Sequence, residues 1–571
     1  MLGLIMDYPL TLQAILRRAE KFSGSTEIVS RLADGSIYRY TYADMILRAK
    51  KLAIAFKELG VGPGDRIATL AWNHHQHLEA YFAVPMIGAV LHTLNLRLHP
   101  NDLTHIVNDA GDRIVIVDKG LWPLFEQLRP RINVEHVVVM ANDGDVPEGT
   151  IEYERLLADR DAADFQCEEL DERSAAAMCY TSGTTGHPKG VLFSHRAIVL
   201  ESMNWTAADT VGVRQRDVIL AVVPMFHING WGIPFTAALV GAKLVLPGAY
   251  LDAPRLLELI QAERVTVSGG VPTVWSTVLQ TLDSQPARYD ITHLRTLVIG
   301  GSAVPKALLR GYRERYGVMV IHAWGMTETT AVATVCRVPA SLESAPTETQ
   351  DDWLAQQGLP MPFVEIRARG ESGLAPWDGQ TMGELEVRGP TVASAYYNSV
   401  NGTASFTPDQ WFRTGDIVTI NERGCVELRD RSKDLIKSGG EWISSVALEN
   451  ALMCHSAVAE AAVVAVPHPK WQERPLAVVV VKAGHRTSAD ELRQHLAPEF
   501  AQWCLPDAFE FVEEIPRTST GKFLKSVLRD RFKNYYQAKD GSYKSNGSNV
   551  SLPDGRKLFV GSLGTGAPDE Q

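Results

Sequence analysis

Apolar and polar positions along this chain follow two periods in turn, and their alternation sets out the expected elements. Residues 12–22 place apolar side chains at helical spacing, with Arg17, Arg18, Glu20 and Lys21 on the other side, which predicts an amphipathic helix. Residues 37–42 alternate as a strand does, 42–59 are helical again, and a Gly/Pro turn at 60–65 leads into a strand at 66–71. A buried-type run at 81–91 and short strands at 113–118 and 136–140 follow. Beyond residue 210 one pattern repeats: an apolar strand ends in glycine or a small polar residue and a helix follows. The strands are expected at 218–223, 265–267, 294–299 and 318–321. Helices alternating with strands predict an α/β fold, and its ligands gather beyond the carboxyl ends of the strands. The loops at 224–231, 268–272, 300–303 and 322–328 should therefore converge on one site.

The texture changes at Gly383, where short alternating strands at 384–388 and 425–428 predict a smaller β subdomain. Residues 429–434 form a run of alternating charge without an apolar anchor, the expected hinge, and apolar strands resume at 461–466 and 476–481. The expected division is a large domain at 1–430, a small one at 431–540, and a mobile Gly/Ser/Asn-rich tail at 541–571. Length agrees, because 571 residues exceed what one core of about 250 to 300 residues holds.

Composition narrows the function. A net charge of -11 argues against nucleic acid as the main partner, and no stretch approaches the ~18 uncharged apolar residues of a membrane span. The first ten residues lack the basic start of a secretory signal, so a cytoplasmic protein is expected. Six scattered cysteines show no Cys-x-x-Cys spacing and read as reduced, mostly buried thiols. His74, His75 and His77 lack a nearby carboxylate or cysteine. Adjacent histidines point to different sides of any regular element, so a solvated or helix-starting face is expected rather than a metal site.

The chemistry concentrates at residues 180–190, where five hydroxyls, three glycines and Lys189 sit between apolar runs at 175–179 and 191–193. Such a loop between strands can wrap polyphosphate with backbone amides, hydroxyls and a mobile cation. It is not a P-loop: Pro188 precedes the lysine and Gly190 follows it. A bland Ser/Thr/Gly surface loop is the alternative reading of the stretch taken alone.

The full string resembles the phosphate-binding signature of the adenylate-forming superfamily. Four further motifs follow in order: Trp324 to Thr329, Thr414 to Asp416, Arg431 to Gly440, and Pro516 to Lys522. The likeness spans about residues 1–540 and is closest to bacterial medium- and long-chain fatty acyl-CoA synthetases. It implies two α/β sheets and a small β subdomain in the large domain, with a small mobile α+β domain behind it. It also implies a two-step reaction, in which a carboxylate attacks Mg-ATP to give acyl-AMP and pyrophosphate, and coenzyme A then displaces AMP.

By matching position, Thr181, Ser182, Gly183, Thr184, Thr185 and Lys189 would hold the β- and γ-phosphates, while Thr184 and Glu328 would hold magnesium. Thr327 would meet the α-phosphate. Gly301, Ser302, Ala303, His322, Ala323 and Trp324 would line the adenine slot, where tryptophan replaces the more usual tyrosine. Asp416 would face the ribose, Arg431 the ribose or phosphate, and Lys522 would stabilise charge at the α-phosphorus. Taken singly, Glu328 reads equally as a helix-start carboxylate and Asp416 as a turn residue. The resemblance makes Lys433 the hinge about which the small domain rotates, exchanging Lys522 for a pantetheine tunnel at Gly439, Gly440 and Glu441. Lys437 and Trp442 read equally as nucleotide or coenzyme contacts and as a charged face with a packing aromatic. His227, Trp231 and Gly325 correspond to the acyl pocket, with Trp231 as a gate or as core.

No Lys, Arg, Asp or Glu falls within 224–235, which suits an uncharged aliphatic tail. Medium- to long-chain fatty acids are the expected substrates. Short thioether or aryl acids, and an acyl-adenylate donor to a separate carrier protein, are the alternatives. A nucleotide-binding regulator without catalysis is disfavoured by the presence of both Glu328 and Lys522. Family habit points to a homodimer.

Overall fold

The computed structural model describes residues 3–141, 145–158, 160–163, 165–181, 188–399, 405–439, 441–517 and 523–536, together with the backbone of Val550–Ser551 and Lys557–Leu558, a short antiparallel pair. The remainder of the expected tail lies outside the described residues. The chain divides into two compact units, 1–414 with 418–428, and 415–417 with 429–571.

The first unit holds two large sheets and a smaller one. In a seven-stranded sheet the order is Ile151–Glu152, His136–Met140, Asp112–Asp118, Arg66–Leu70, Val90–Thr93, Ala175–Tyr180 and Gly190–Ser194, parallel except for the last pair. A nine-stranded sheet runs Leu359–Pro360, Thr334–Cys336, Met319–Trp324, Thr296–Gly300, Val267–Gly270, Val218–Leu220, Lys243–Leu246, Glu27–Arg31 and Ile37–Thr41. Its strands from Met319–Trp324 to Glu27–Arg31 are parallel, so the loops beyond their carboxyl ends leave from one edge. The short antiparallel strands Glu365–Gly370 and Gly383–Arg388 belong to a third, five-stranded sheet.

The opening amphipathic helix is Leu12–Ser23, with Leu12, Ile15, Leu16 and Ala19 buried. Helix Tyr42–Glu58 starts with a capping box, in which the Thr41 hydroxyl accepts from the Asp44 amide and the Asp44 carboxylate accepts from the Thr41 amide. The histidine stretch does start a helix, His75–Met86, with His74 as its cap, but it is not solvated: His77 is fully buried and His74 and His75 nearly so. His74 Nε2 lies 2.8 Å from Asp118, and His77 bridges Thr69 Oγ1 and the Trp72 carbonyl. Burial pushes the His77 imidazole down to about 3, so it is neutral. Among the described residues no cluster of three metal-ligating side chains occurs. All six cysteines are free; Cys179, Cys336 and Cys425 are buried, but Cys454 is exposed, against the reading of a mostly buried set.

The second unit packs helices Ser445–Met453, Ala489–Leu496 and Lys525–Phe532 around a sheet ordered Glu441–Ile443, Ile436–Ser438, Gln472–Val481, Val458–His468, with Ala508–Phe511 also beside Gln472–Val481. The charged run expected to be a loose hinge is ordered in its first half, where strand Val426–Arg431 continues to Arg431. Asp430 is fully buried there because its Oδ2 accepts from both the amide and the hydroxyl of Ser445, each at 2.6 Å.

Candidate active site

Strands Ala175–Tyr180 and Gly190–Ser194 pair antiparallel, with Tyr180 opposite Gly190, and the loop between them closes on two hydrogen bonds. The Thr181 amide donates to the Lys189 carbonyl at 2.9 Å, and the Lys189 amide donates to Thr181 Oγ1 at 3.1 Å. Gly190 is closely packed here, because a Cβ would stand 3.0 Å from the Tyr180 ring. Ser182, Gly183, Thr184 and Thr185 lie outside the described residues.

From this base Lys189 reaches across to Tyr396, its Nζ 4.6 Å from the ring centroid. The Tyr396 hydroxyl donates to Glu328 Oε1 at 2.6 Å. Burial, reinforced by the Glu328 charge, holds that phenol well above the usual tyrosine range. Backbone bonds fix both ends of the contact: the Ala393 amide donates to the Glu328 carbonyl at 2.7 Å, and the Tyr397 amide to the Gly190 carbonyl at 2.8 Å. Two residues separated by 139 positions thus meet through a tyrosine that pattern reasoning passed over. Its one trace in the sequence is the aromatic pair Tyr396 and Tyr397 in an otherwise small and polar stretch, and such a pair has ordinary structural uses.

Glu328 stands on the short turn Thr327–Thr329 after strand Met319–Trp324. The turn is wound tightly enough that Gly325 admits no side chain, since a Cβ would fall 1.7 Å from the Ala331 carbonyl oxygen. Thr330 and Ala331 complete it in the left-handed region. Thr327, Ala323 and Trp324 are nearly buried, while Ser302 is exposed and Gly301 and Ala303 half-buried at the end of the adjacent strand. His322 is 1 % exposed, and its Nδ1 donates to the Ala355 carbonyl at 3.0 Å. Burial pushes its imidazole down to about 4, against the opposing pull of the Ala355, Ser302 and Gln356 carbonyls, so the ring is neutral. This places His322 beside Ser302 as a buried ring.

The loop carrying His227 and Trp231 is held by a residue without a sequence motif. Asn73 Nδ2 donates to the Ala221 and Val223 carbonyls at 2.7 and 2.8 Å, and its Oδ1 accepts from the Met225 amide at 2.7 Å. The strand consequently ends at Leu220 rather than at 223. The Tyr81 hydroxyl also donates to the Met225 carbonyl. Beyond this clamp Ile228, Asn229, Gly230 and Trp231 are left-handed, three of them without being glycine. Trp231 is 7 % exposed. A small cavity, about 10 Å³, lies against this segment. It is lined by Phe193, Ile198, Ile228, Phe235 and Thr330, and by Glu201, a carboxyl that the composition of residues 224–235 could not reveal.

In the second unit Asp416 is 1 % exposed and ion-paired with Arg431 Nε at 2.6 Å. Burial lowers the Lys433 ammonium below the usual lysine range, with Asp434 opposing. In the hairpin of Ile436–Ser438 and Glu441–Ile443, Lys437 faces Trp442, its Nζ 5.1 Å above the ring, and both side chains are exposed. Glu441 is exposed. Gly439 takes φ +62 and donates its amide to the Trp471 carbonyl at 2.9 Å, while a Cβ there would come 3.0 Å from the Trp471 ring. Gly440 and Lys522 lie outside the described residues.

Comparison with known proteins follows the same two-part division. Residues 15–397 match the family described as AMP-binding enzyme, and residues 447–522 match its C-terminal domain. The chain is 50 % identical over 536 residues to a long-chain-fatty-acid–CoA ligase of Thermus thermophilus, covering 93 % of this chain and 97 % of that protein. It is 42 % identical over 539 residues to a 3-methylmercaptopropionyl-CoA ligase of Ruegeria pomeroyi, covering 93 % and 99 %. A crystal structure of the anthranilate CoA ligase AuaEII in complex with anthranoyl-AMP superposes with a TM-score of 0.82 at 26 % identity, covering 93 % of this chain and 99 % of that one. Five motifs in order, the fold that carries them and these matches over nearly the whole length lead to one conclusion: the chain belongs to the AMP-binding, adenylate-forming enzyme family.

Proposed function

We propose that the protein is an acyl-CoA synthetase that activates a medium- to long-chain carboxylic acid. In this reading the acid's carboxylate oxygen bonds to the α-phosphorus of ATP and pyrophosphate leaves. The thiol of coenzyme A then attacks the acyl carbonyl, AMP departs, and the thiol proton passes to solvent. The observation that carries the reading is the contact of Lys189, Tyr396 and Glu328, which sets a cation and a carboxylate beside the closed base of the 181–189 loop. Carboxylate is a weak nucleophile toward a polyanion, so the chain's contribution is positioning and charge neutralisation. Lys189 and the loop amides offset phosphate charge. The Tyr396 hydroxyl holds one oxygen of Glu328 and thereby orients the carboxylate.

Magnesium fits the donor set, since a hard cation of this kind takes one or two protein oxygens and leaves its other positions to phosphate and water. Glu328 and Thr184 would hold it, and it would draw charge from the phosphate oxygens. His227, Trp231 and Gly325 are assigned to the acyl site. Gly301, Ser302, Ala303, His322, Ala323, Trp324 and Thr327 are assigned to the adenylate, with Asp416, Arg431, Lys433 and Lys437. Lys522 is assigned to adenylation and Gly439, Gly440, Glu441 and Trp442 to coenzyme A. A cytoplasmic homodimer belongs to the same proposal.

The test is AMP release with ATP, magnesium and coenzyme A across straight-chain acids from acetate to palmitate. Each buried methylene contributes about 0.8 kcal/mol, roughly fourfold, so kcat/KM should climb with length and then stop where the pocket ends. A flat, low profile would overturn the assignment of a medium- to long-chain acid.

A further inference from the structure

The hairpin assigned to coenzyme A is too short to hold itself in place. Its strands, Ile436–Ser438 and Glu441–Ile443, have three residues each, and an isolated two-stranded hairpin is marginal in water. Residues 471–474, where strand Gln472–Val481 begins, set its position instead. The Lys437 amide donates to Glu473 Oε2 at 2.9 Å, Ser438 pairs with Gln472, and the Gly439 amide donates to the Trp471 carbonyl at 2.9 Å. Three consecutive hairpin residues are thus tied to one short stretch.

Arg474 completes the attachment. It is 7 % exposed, and all five of its N–H donors are engaged. Nε and Nη2 grip the Asp507 carboxylate at 2.7 and 2.6 Å, and Nη2 also donates to the Leu505 carbonyl at 3.0 Å. Nη1 donates to the Trp503 carbonyl at 2.5 Å and to Ser438 Oγ at 3.1 Å. Four donors therefore anchor the guanidinium to segment 503–507, and the fifth reaches the hairpin at the residue before its turn. Ser438 is itself buried, so water is a poor substitute for that bond. Lysine, with three donors on a single nitrogen, cannot reproduce the arrangement.

We propose that Arg474 is a positioning residue for the thioester-forming half of the reaction. Through Ser438 it fixes the turn that begins at Gly439, past which the pantetheine arm runs. A misplacement of about 1 Å in such a contact can cost on the order of a hundredfold in rate. The proposal rests on the coenzyme A reading of Gly439, Gly440, Glu441 and Trp442.

The experiment uses the straight-chain acid that gives the fastest AMP release, in the wild type, Ser438→Ala, Ser438→Thr and Arg474→Lys. It measures kcat/KM for coenzyme A and, separately, acid-dependent exchange of labelled pyrophosphate into ATP without coenzyme A. Ser438→Ala removes one bond from a charged donor and leaves the Asp507 fork in place. It should lower kcat/KM for coenzyme A about tenfold while exchange stays within about twofold of the wild type. Ser438→Thr keeps the hydroxyl and should retain most of the rate, whereas Arg474→Lys should lose at least as much as Ser438→Ala. A merely structural role would not produce this split, because Lys522, assigned to adenylation, lies in the same stretch 429–571 and a loosened unit would slow exchange as well. Exchange that falls in step with the coenzyme A reaction, or a coenzyme A reaction untouched by Ser438→Ala, overturns the proposal. If Arg474→Lys does not fold, the two Ser438 variants decide. Wild-type exchange without any coenzyme A-dependent thioester would refute the coenzyme A reading itself, and the proposal with it.

Discussion

Tyr396 stands between the two charged residues on which the proposed chemistry depends, and removing its hydroxyl separates its two contributions. Tyr396→Phe keeps the ring beneath Lys189 but leaves Glu328 Oε1 without its 2.6 Å donor. A hydrogen bond to a carboxylate contributes about 1.5–3 kcal/mol, so kcat/KM for ATP should fall about ten- to hundredfold and more magnesium should be needed for half-maximal rate, with little change in the KM for the acid. An unchanged magnesium requirement in steady-state titrations would contradict the assigned role. The sequence made Lys189 and Glu328 legible because each lies in a contiguous string whose residue types match one chemistry. Tyr396 and Glu201 were not legible, since a tyrosine in a loop and a glutamate in a helix have ordinary structural uses. What distinguishes Tyr396 is the pair of distant residues it meets, and what distinguishes Glu201 is the cavity it lines.

Helix Lys525–Phe532 docks through charge as well as through Leu528 and Phe532. Lys525 Nζ lies 2.7 Å from Glu449 Oε1 and donates to the Ser445 hydroxyl at 2.6 Å, the same hydroxyl that donates to buried Asp430. Arg529 pairs with Asp434 one turn further on. Burial pushes the Glu449 carboxyl up to about 7, with Lys525 opposing. Its folded value is raised above the unfolded one, so its contribution is fully present below about pH 4.5 and is lost as pH rises through about 7. The melting temperature of the second unit should therefore fall between about pH 5 and 8, and Glu449→Gln should flatten that dependence. An equally steep profile in the variant would place the effect elsewhere.

The strands of this unit were legible as apolar runs. The order in Arg429 to Arg431 was not, because alternating charge reads as solvated until Ser445 is seen to satisfy Asp430. The end of strand Val218–Leu220 was obscured in the same way. Its apolar run continues to Val223, but Asn73, from a distant loop, takes the backbone groups that would extend it. The tight turn at Gly325, by contrast, was marked by its motif, and the 1.7 Å clearance gives the reason for the glycine.

For the molecule as a whole, the division into two units and the order of five motifs along them fit the proposed reaction in two halves, the first of which needs no coenzyme. Length and hydropathy announced several domains, and the repeated strand-loop-helix pattern announced parallel sheets whose loops leave from one edge. The cavity beside the left-handed loop was not announced, because it draws on helix His195–Thr206, strand Gly190–Ser194 and that loop together. The most direct test is acid-dependent exchange of labelled pyrophosphate into ATP without coenzyme A, in the wild type and in Lys522→Ala. Exchange in the wild type that is largely lost in the variant, while supplied acyl-adenylate still yields thioester in both, is the predicted result. Absence of exchange in the wild type, or formation of ADP in place of AMP and pyrophosphate, would contradict the adenylate route.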